Sequence, residues 1–200
     1  LTKIDLNRSA EILVKDADHA HGGWGQGPKF PQVSHLRFLL RYWHRTTDKK
    51  AIDHVVMTAD KMMQGGIHDH LAGGFHRYTV DGQWLVPHFE KMLYDQAMLI
   101  MAYTEAYQAT GKSFYARVVE EIIAYLLRDL TSAEGGFFSA EDADSEGVEG
   151  KFYLWTIRQI KEVLGAKEAA LWIQAFNVKE KGNFQEAGPG TNIEENILHL

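Results

Sequence analysis

The 200-residue chain is 45% hydrophobic and 24% charged, a composition typical of a globular protein with a sizeable core and not of a disordered segment. Its net charge of −6 is spread along the sequence without long runs of like charge, which argues against a nucleic-acid partner and a basic membrane-surface helix. Because the chain has no cysteine, disulfides, thiolate metal sites and thiol nucleophiles are excluded.

The apolar runs and the chain ends set further expectations. The longest apolar run, from Met98 to Tyr103, is far shorter than the roughly 20 residues that span a bilayer, and no signal-peptide core opens the sequence. We therefore expect a soluble, cytoplasmic protein that binds neither membranes nor nucleic acid. The sequence begins at Leu1 without an initiator methionine and ends on an apolar run at Leu200, so we expect it to be part of a longer protein.

Apolar residues recur at helical spacing in several segments, which predicts an all-α fold. The predicted helices lie, in chain order, near residues 7–18, 36–43, 52–63, 88–110, 115–130 and 167–176. The helix over 88–110 is apolar on nearly all sides, which is typical of a buried helix. Thr156 and Gln159 form a capping-box signature that opens a further, shorter helix. Strands are predicted only as short pieces at 75–80 and 151–155.

Glycine pairs followed by an aromatic residue occur three times, at 22–24, 73–75 and 135–137. A second internal match joins 47–49 and 55–56 to 110–112 and 118–119 at the same spacing. The repeats predict successive αα-hairpins whose glycine loops emerge at one end, and such hairpins must stack or close into a ring to bury their apolar faces. Helix capping alone accounts for a single glycine pair, but three pairs with attached aromatics indicate loops that also line a common pocket.

Chemically versatile side chains are concentrated in the loops, above all between residues 68 and 91. His76 and His88 are candidates for proton transfer, because imidazole titrates near neutrality, and Arg77 could stabilise a developing oxyanion. Asp95 lies within a predicted buried helix, so it either has a structural partner or lines a cavity, where it would orient a histidine or a hydroxyl group. A loop histidine is, against this, more often a surface or hydrogen-bonding residue than a catalyst.

Ten further residues are candidate ligand contacts, because aromatic faces stack on sugars and polar groups bind their hydroxyls. They are the aromatic residues Trp24, Phe75, Tyr78, Trp84 and Tyr94 and the polar residues His70, Arg77, Glu90, Glu141 and Asp142.

Two alternatives use the same residues differently. A metal site could be built from His68, His70, His76 and His88, but the His-Glu-x-x-His pattern is missing, so we expect no metal and no other cofactor. The acidic stretch 141–147 resembles the first half of an EF-hand loop, yet the position of the bidentate glutamate is Tyr153, which excludes that calcium site. The stretch is then either a solvated loop or a source of paired carboxylates for glycoside hydrolysis.

Long motifs at 22–25, 28–31, 73–78, 84–95 and 135–145 resemble the thioredoxin-domain-containing proteins related to spermatogenesis-associated protein 20. The resemblance implies stacked αα-hairpins that form part of an (α/α)6 toroid of the six-hairpin glycosidase type. Residues 1–200 would then be one partial toroid domain of about three hairpins, with a thioredoxin-like domain as partner in the same full-length protein. The cysteines of that domain have no counterpart here, so its redox activity is not expected of this chain.

A wider similarity, centred on Leu93 to Ala97, is to the N-acylglucosamine 2-epimerase and cellobiose 2-epimerase superfamily. That resemblance implies a sugar-like small-molecule ligand and a sugar epimerase or isomerase in which histidines exchange the proton next to the sugar carbonyl. A glycoside hydrolase that uses Glu141, Asp142 or Asp95 is one alternative. Others are a non-catalytic module that binds a sugar or a partner, and a half toroid that associates with another copy of itself.

Overall fold

The computed structural model describes residues 2–184 and 194–200. Its helices are α1 (Lys3–Lys15), α2 (Val33–Thr46), α3 (Lys49–Gln64), α4 (Leu93–Thr110), α5 (Ser113–Asp129) and α6 (Ile157–Ala175). Two-residue strands form three antiparallel pairs, β1 (Tyr78–Thr79) with β2 (Pro87–His88), β3 (Lys91–Met92) with β4 (Ala140–Glu141), and β5 (Asp144–Ser145) with β6 (Val148–Glu149). The predicted helical fold class is confirmed.

Successive helices pack as hairpins joined by short turns. Helix α2 packs on α3 and α4 packs on α5, while α2 also contacts α4. The two hairpin turns are equivalent, because Thr47 (φ 59°) and Gly111 (φ 69°) each end a helix in the left-handed conformation. The internal match found in the sequence is therefore a structural repeat.

The first two glycine loops share one construction as well. Gly22 donates its amide hydrogen to the carbonyl of Asp18 at 2.9 Å, and Gly73 donates to the carbonyl of Asp69 at 3.0 Å. The loops follow α1 and α3, and the short turns follow α2 and α4. Because consecutive helices of a hairpin run in opposite directions, the glycine loops lie together at the end opposite the short turns.

The main hydrophobic core is formed by residues of α1 to α5 and the loops that join them, and two smaller apolar clusters lie outside it. The second cluster surrounds Phe89, and the third joins α6 to Val178 and Leu198. Phe75 and Trp84 are fully buried in the main core. Large side chains from the second glycine loop and the segment after it therefore pack in the core, and this packing holds the loop against the helices.

The long predicted helix begins five residues later than expected. Residues 88–92 are extended, because β2 pairs with β1 and β3 pairs with β4. Cross-strand pairing outweighs the local helical period there. The expectation of a helix buried on nearly all sides is also wrong, since Tyr94, Met101 and Tyr107 of α4 are exposed.

The C-terminal helices agree with the prediction, whereas the strands differ in detail. The capping box of Thr156 and Gln159 is confirmed and opens the predicted shorter helix, and the non-helical backbone of Gly165 (φ 74°, ψ 164°) separates it from the predicted last helix, so that α6 contains both. Only residues 78–79 of the predicted strand at 75–80 form a strand, and the predicted strand at 151–155 is limited to a bridge between Trp155 and Asn196. No helix in the described part of the chain has the length and apolar character needed to cross a membrane.

We expect Gly73→Ala to destabilise the protein more than Gly135→Ala. Both glycines have a left-handed backbone, with φ of 80° and 85°, so the conformational strain of an alanine is similar at the two sites. A Cβ at Gly73 would lie 2.6 Å from the carbonyl oxygen of Glu121, whereas at Gly135 nothing lies within 4 Å. Urea denaturation should show an additional loss of about 1–3 kcal/mol for Gly73→Ala. Equal losses would contradict the packing of this loop.

Candidate functional site

The extended segment 88–91 separates two groups of polar side chains. Successive residues of an extended chain point to opposite sides. Phe89 and Lys91 are buried and line a cavity, whereas His88 and Glu90 are only partly buried and approach each other on the other side. The predicted site is thereby divided in two.

The first group, the His88 cluster, consists of Arg77, Tyr78, His88, Glu90, Tyr94, Asp95 and Glu149. The Nδ1 atom of His88 lies 2.7 Å from Oε1 of Glu149. Because an ionised carboxylate only accepts hydrogen bonds, Nδ1 carries a proton, and Nε2 is the ring nitrogen on the side away from Glu149. This Nε2 lies 3.8 Å from Oε2 of Glu90, which Arg77 Nη1 holds at 3.0 Å.

Aromatic side chains border the cluster. Tyr78 stacks on His88 with ring centroids 5.1 Å apart, a contact prepared by their pairing across β1 and β2. Phe30 stacks on the opposite side of Tyr78 at 4.7 Å. The hydroxyl group of Tyr94 accepts a hydrogen bond of 3.2 Å from Nε of Arg77. The guanidinium group is therefore fixed at two of its nitrogens, and its remaining N–H groups have no hydrogen-bond partner among residues 2–184 and 194–200.

Asp95 lies in the first turn of α4, and burial raises its pKa to about 7. Glu90 raises the pKa further, and Arg77 opposes the rise. The Oδ2 atom is buried without a hydrogen-bond partner among the described residues. A carboxyl group with a pKa near neutrality can both donate and accept a proton at physiological pH.

The second group lines a cavity of about 540 Å³ between the second glycine loop, the end of α5, residues 152–155 and the C-terminal residues. Its polar lining comprises His68, Asp69, His70, His76, Lys91, Tyr125, Arg128, Asp129, Glu141 and Tyr153, and its apolar lining includes Phe89, Phe152, Trp155 and Ile197. The volume is within the usual range for small-molecule sites.

A fully enclosed cation lies in the wall of this cavity. The Nζ atom of Lys91 is 2.7 Å from Oδ2 of Asp69 and donates to the carbonyl of Gly73 at 3.1 Å. The ammonium group also lies over the rings of Tyr125 and Tyr153, at 4.3 and 4.9 Å. Burial alone would raise the pKa of Asp69, but Lys91 holds it below its ordinary value.

Glu141 is held by two tyrosines. Tyr125 donates its hydroxyl hydrogen to Oε2 at 2.6 Å, and Tyr153 donates to Oε1 at 3.0 Å. Burial and the adjacent carboxylate raise the pKa of both tyrosines well above 10, so both hydroxyl groups stay protonated. Both carboxylate oxygens are therefore bound within the protein.

Three histidines of the cavity each have one ring nitrogen bound to the backbone, and in His68 it is Nδ1, which lies 3.2 Å from the carbonyl oxygen of Met63. The other two are His76 and His70. Nδ1 of His76 lies 3.0 Å from the carbonyl oxygen of Phe89, and Nε2 of His70 lies 3.0 Å from that of Gly65. A carbonyl oxygen only accepts, so these nitrogens carry the protons. Burial lowers the pKa of His76 to about 3 and also lowers that of His70. At neutral pH both rings are uncharged.

The predicted site residues separate as follows. Arg77, Tyr78, His88, Glu90, Tyr94 and Asp95 meet in the His88 cluster, whereas His70, His76 and Glu141 line the cavity. The prediction that Phe75 and Trp84 contact a ligand is wrong, since both side chains are fully buried in the core. Trp24 is half-buried and donates from Nε1 to the carbonyl of Leu13, and Asp142 is exposed and caps the amide of Asp144.

Other site residues were missed. Lys91 is within a motif that the sequence analysis singled out, but its burial gives no sequence signal. Glu149 contacts His88 although it lies 61 residues later in the sequence. Tyr125 contacts Glu141 from 16 residues earlier. Only their tertiary contacts identify them.

The metal alternative finds no support in residues 2–184 and 194–200, where no three or more histidines and carboxylates are arranged to hold an ion. His68, His70 and His76 line the cavity, whereas His88 is not among its lining residues. The four histidines therefore do not form one ligand set.

We expect the protein to lose stability as the pH falls below about 6.5. Burial lowers the pKa of His68 and His76 to about 3 in the folded chain, so the unfolded chain binds protons that the folded chain does not. The expected loss at pH 5 is about 2 kcal/mol for each ring, measured by urea denaturation at pH 7.5 and 5. Asp95 has the opposite effect on stability, because its raised pKa lets the folded chain bind a proton at a higher pH than the unfolded chain. Asp95→Asn should therefore increase the loss of stability between pH 7.5 and pH 5. Unchanged stability in both proteins would contradict the burial of these rings.

Comparison with known proteins identifies the relatives of this chain. No family model matches it. It is 42% identical to human (Homo sapiens) spermatogenesis-associated protein 20 over 196 residues, which are 88% of this chain and 25% of that protein. The mouse (Mus musculus) protein is 40% identical over 200 residues, or 90% of this chain and 25% of that protein. The chain thus spans about a quarter of the length of these relatives.

Solved structures share its fold at low sequence identity. A cellobiose 2-epimerase from Bacillus thermoamylovorans matches with a TM-score of 0.60 and 12% identity over 92% of this chain and 58% of that chain. A sugar epimerase from a ruminal bacterium matches with a TM-score of 0.58 and 14% identity over 86% and 52%. An unsaturated glucuronyl hydrolase specific for heparin has a TM-score of 0.57 and 14% identity over 68% and 41%. The chain is therefore a homologue of spermatogenesis-associated protein 20 with the fold of part of an (α/α)6 toroid.

Proposed function

We propose that the His88 cluster is one wall of a sugar site with acid–base chemistry of the 2-epimerase or isomerase type. The observation that carries the proposal is the fixed ring of His88, which Glu149 orients at 2.7 Å and which leaves Nε2 free to accept a proton. The α/α-toroid fold, shared with sugar epimerases and a glycoside hydrolase, supports a carbohydrate as substrate.

The proposed reaction is a proton exchange next to a sugar carbonyl. Nε2 of His88 removes the proton from the carbon, and the C–H electron pair forms the double bond of an enediolate while the carbonyl oxygen becomes negative. The free N–H groups of Arg77 stabilise that oxyanion. Asp95, in its protonated form, returns a proton to the carbon from the other face, and proton transfer from His88 to Asp95 restores both groups.

His76 has no role in the proposed reaction, although the sequence predicts it as a proton-transfer residue. His76, the second histidine predicted to transfer protons, lines the cavity and is bound to the carbonyl of Phe89. The proposal therefore gives the second proton to Asp95, whose pKa of about 7 suits an acid at neutral pH. The opposite wall of the site would come from parts of the toroid that this chain does not match, since it covers 52% and 58% of the two epimerase chains.

A non-catalytic sugar-binding module is the second candidate. It needs only binding contacts and no acid–base pair. The contacts of Glu141, whose two oxygens both accept hydrogen bonds from tyrosines, argue against its use as a hydrolytic acid or nucleophile. The thioredoxin-like partner domain, the cytoplasmic location and self-association remain proposals as well.

The first test is a thermal-shift titration of the 200-residue chain with reducing sugars, among them glucose, mannose and cellobiose, because a ligand of the folded state raises its Tm. A shift that His88→Gln removes and the exposed control His44→Gln retains supports the sugar site. The same shift in both variants would place the sugar elsewhere, and no shift with any sugar would reject the proposal for this chain.

A further inference from the structure

We propose that the cavity beside Lys91 is a second binding site, separate from the His88 cluster, for a neutral polyhydroxy ligand of monosaccharide size. The residues that line this cavity take no part in the reaction proposed at the His88 cluster. The inference rests on the partners of these groups and does not depend on the proposed epimerase chemistry.

The charged side chains of the lining already have partners within the protein. Lys91 pairs with Asp69 at 2.7 Å. The guanidinium group of Arg128 contacts the carboxylate of Asp129 and donates to the carbonyl of Ala72 at 2.8 Å. Glu141 has its two tyrosine donors. An ionic ligand would have to break one of these pairs at a large desolvation cost, so the cavity favours an uncharged ligand.

Unsatisfied acceptors remain on the two uncharged imidazole rings. His76 is 2% exposed, and with Nδ1 bound to Phe89 its Nε2 has no hydrogen-bond partner in the described chain. His70 likewise keeps Nδ1 as an acceptor, because Nε2 binds Gly65. Both rings line the cavity. Among the described residues, the fully buried ring nitrogen of this cavity without a hydrogen-bond partner is Nε2 of His68, which lies 3.5 Å from Oε2 of Glu121. The acceptors of His76 and His70 are available to a ligand that donates hydrogen bonds, such as one with several hydroxyl groups.

Aromatic side chains supply the remaining contacts. Phe152 and Trp155 line the cavity beside Tyr153, and Phe152 is 67% exposed although it is large and apolar. Flat apolar rings together with a few oriented acceptors match a molecule that has C–H faces and hydroxyl groups. A neutral sugar or cyclic polyol has this chemistry.

The test uses methyl β-D-glucopyranoside, which has hydroxyl groups but no free carbonyl and so cannot undergo the proposed reaction. We expect saturable binding to the 200-residue chain, with a change in the ¹⁵N shifts of the His76 ring followed by NMR. Phe152→Ala should weaken binding at least about fivefold, and His76→Leu should abolish it. Phe138→Ala, an equally apolar surface change at a residue that is 54% exposed and outside the lining, should leave it unchanged.

Three results would overturn the inference. They are no binding at any soluble concentration, binding that Phe152→Ala and Phe138→Ala affect equally, and binding that is lost in His88→Gln but kept in Phe152→Ala. Because Phe152 is exposed, its variant is expected to fold even if His76→Leu does not, and circular dichroism of each variant verifies this. Failure of this test leaves the reaction at His88 untouched, since that reaction is measured with reducing sugars.

Discussion

His88→Gln is expected to lower the rate of proton exchange on a reducing sugar by about 10²–10⁴-fold, the usual contribution of a positioned general base. Glutamine fills a similar volume and can still donate to Glu149, but its amide cannot take up a proton at neutral pH. Exchange is measured by NMR as deuterium incorporation at the carbon next to the carbonyl in D2O. The prediction concerns kcat, because the contacts proposed between a sugar and Arg77 or Tyr94 do not involve His88.

The matched control for this experiment is His44→Gln, at an exposed histidine in the last turn of α2. We expect its exchange rate to equal that of the unchanged chain. If His88→Gln exchanges deuterium as fast as His44→Gln, His88 is not the base. Arg77→Lys separates the oxyanion role, since it keeps the charge but loses the planar geometry that contacts both Glu90 and Tyr94.

Lys91→Met is expected to destabilise the protein by about 3–5 kcal/mol, the range for removing one partner of a buried ion pair. The side chains of Lys91 and Asp69 are 1% and 7% exposed. Methionine preserves most of the apolar stem but leaves the carboxylate of Asp69 with only the amides of Leu71 and Ala72 as donors. Urea denaturation at pH 7.5 measures the loss.

Methionine substitutions at two further lysines serve as comparisons for the destabilisation expected of Lys91→Met. Lys29 has the same environment in the first glycine loop, where its Nζ lies 2.7 Å from Asp18 and contacts the carbonyl of Gly22, so Lys29→Met should cost a similar amount. Lys49 pairs with Asp53 at 3.4 Å while 85% exposed, and Lys49→Met should cost less than about 1 kcal/mol. Comparable small losses at all three positions would show that the loops do not depend on their buried ion pairs.

Local signals predicted much of the fold. The capping box at Thr156, the break at Gly111 and the spacing shared by 47–49 and 110–112 depend on neighbouring residues and were readable from the sequence. The start of α4 was not, because residues 88–92 leave the helical pattern only when β1 and β4 pair with them. Pairing with distant segments gives no periodic signal.

The site was predictable to the extent that its residues are close in sequence. Arg77, His88 and Glu90 lie in or next to the paired strands β1 and β2, within 13 residues of one another, and were predicted. Glu149 approaches from the later strand pair β5 and β6 and was not. Phe75 and Trp84, which the sequence suggests as ligand contacts, fill the core and not a ligand pocket. A sequence pattern alone does not distinguish an aromatic side chain that anchors a loop from one that binds a sugar.

Deuterium incorporation by the unchanged 200-residue chain tests the central claim most directly. Glucose, mannose and cellobiose are incubated with the chain in D2O, and the proton next to the carbonyl is followed by NMR. The account predicts enzyme-dependent loss of that proton signal for at least one sugar, with accumulation of the 2-epimer or the isomeric ketose. Binding of a reducing sugar at the His88 cluster without any exchange would contradict the catalytic role and leave a sugar-binding module.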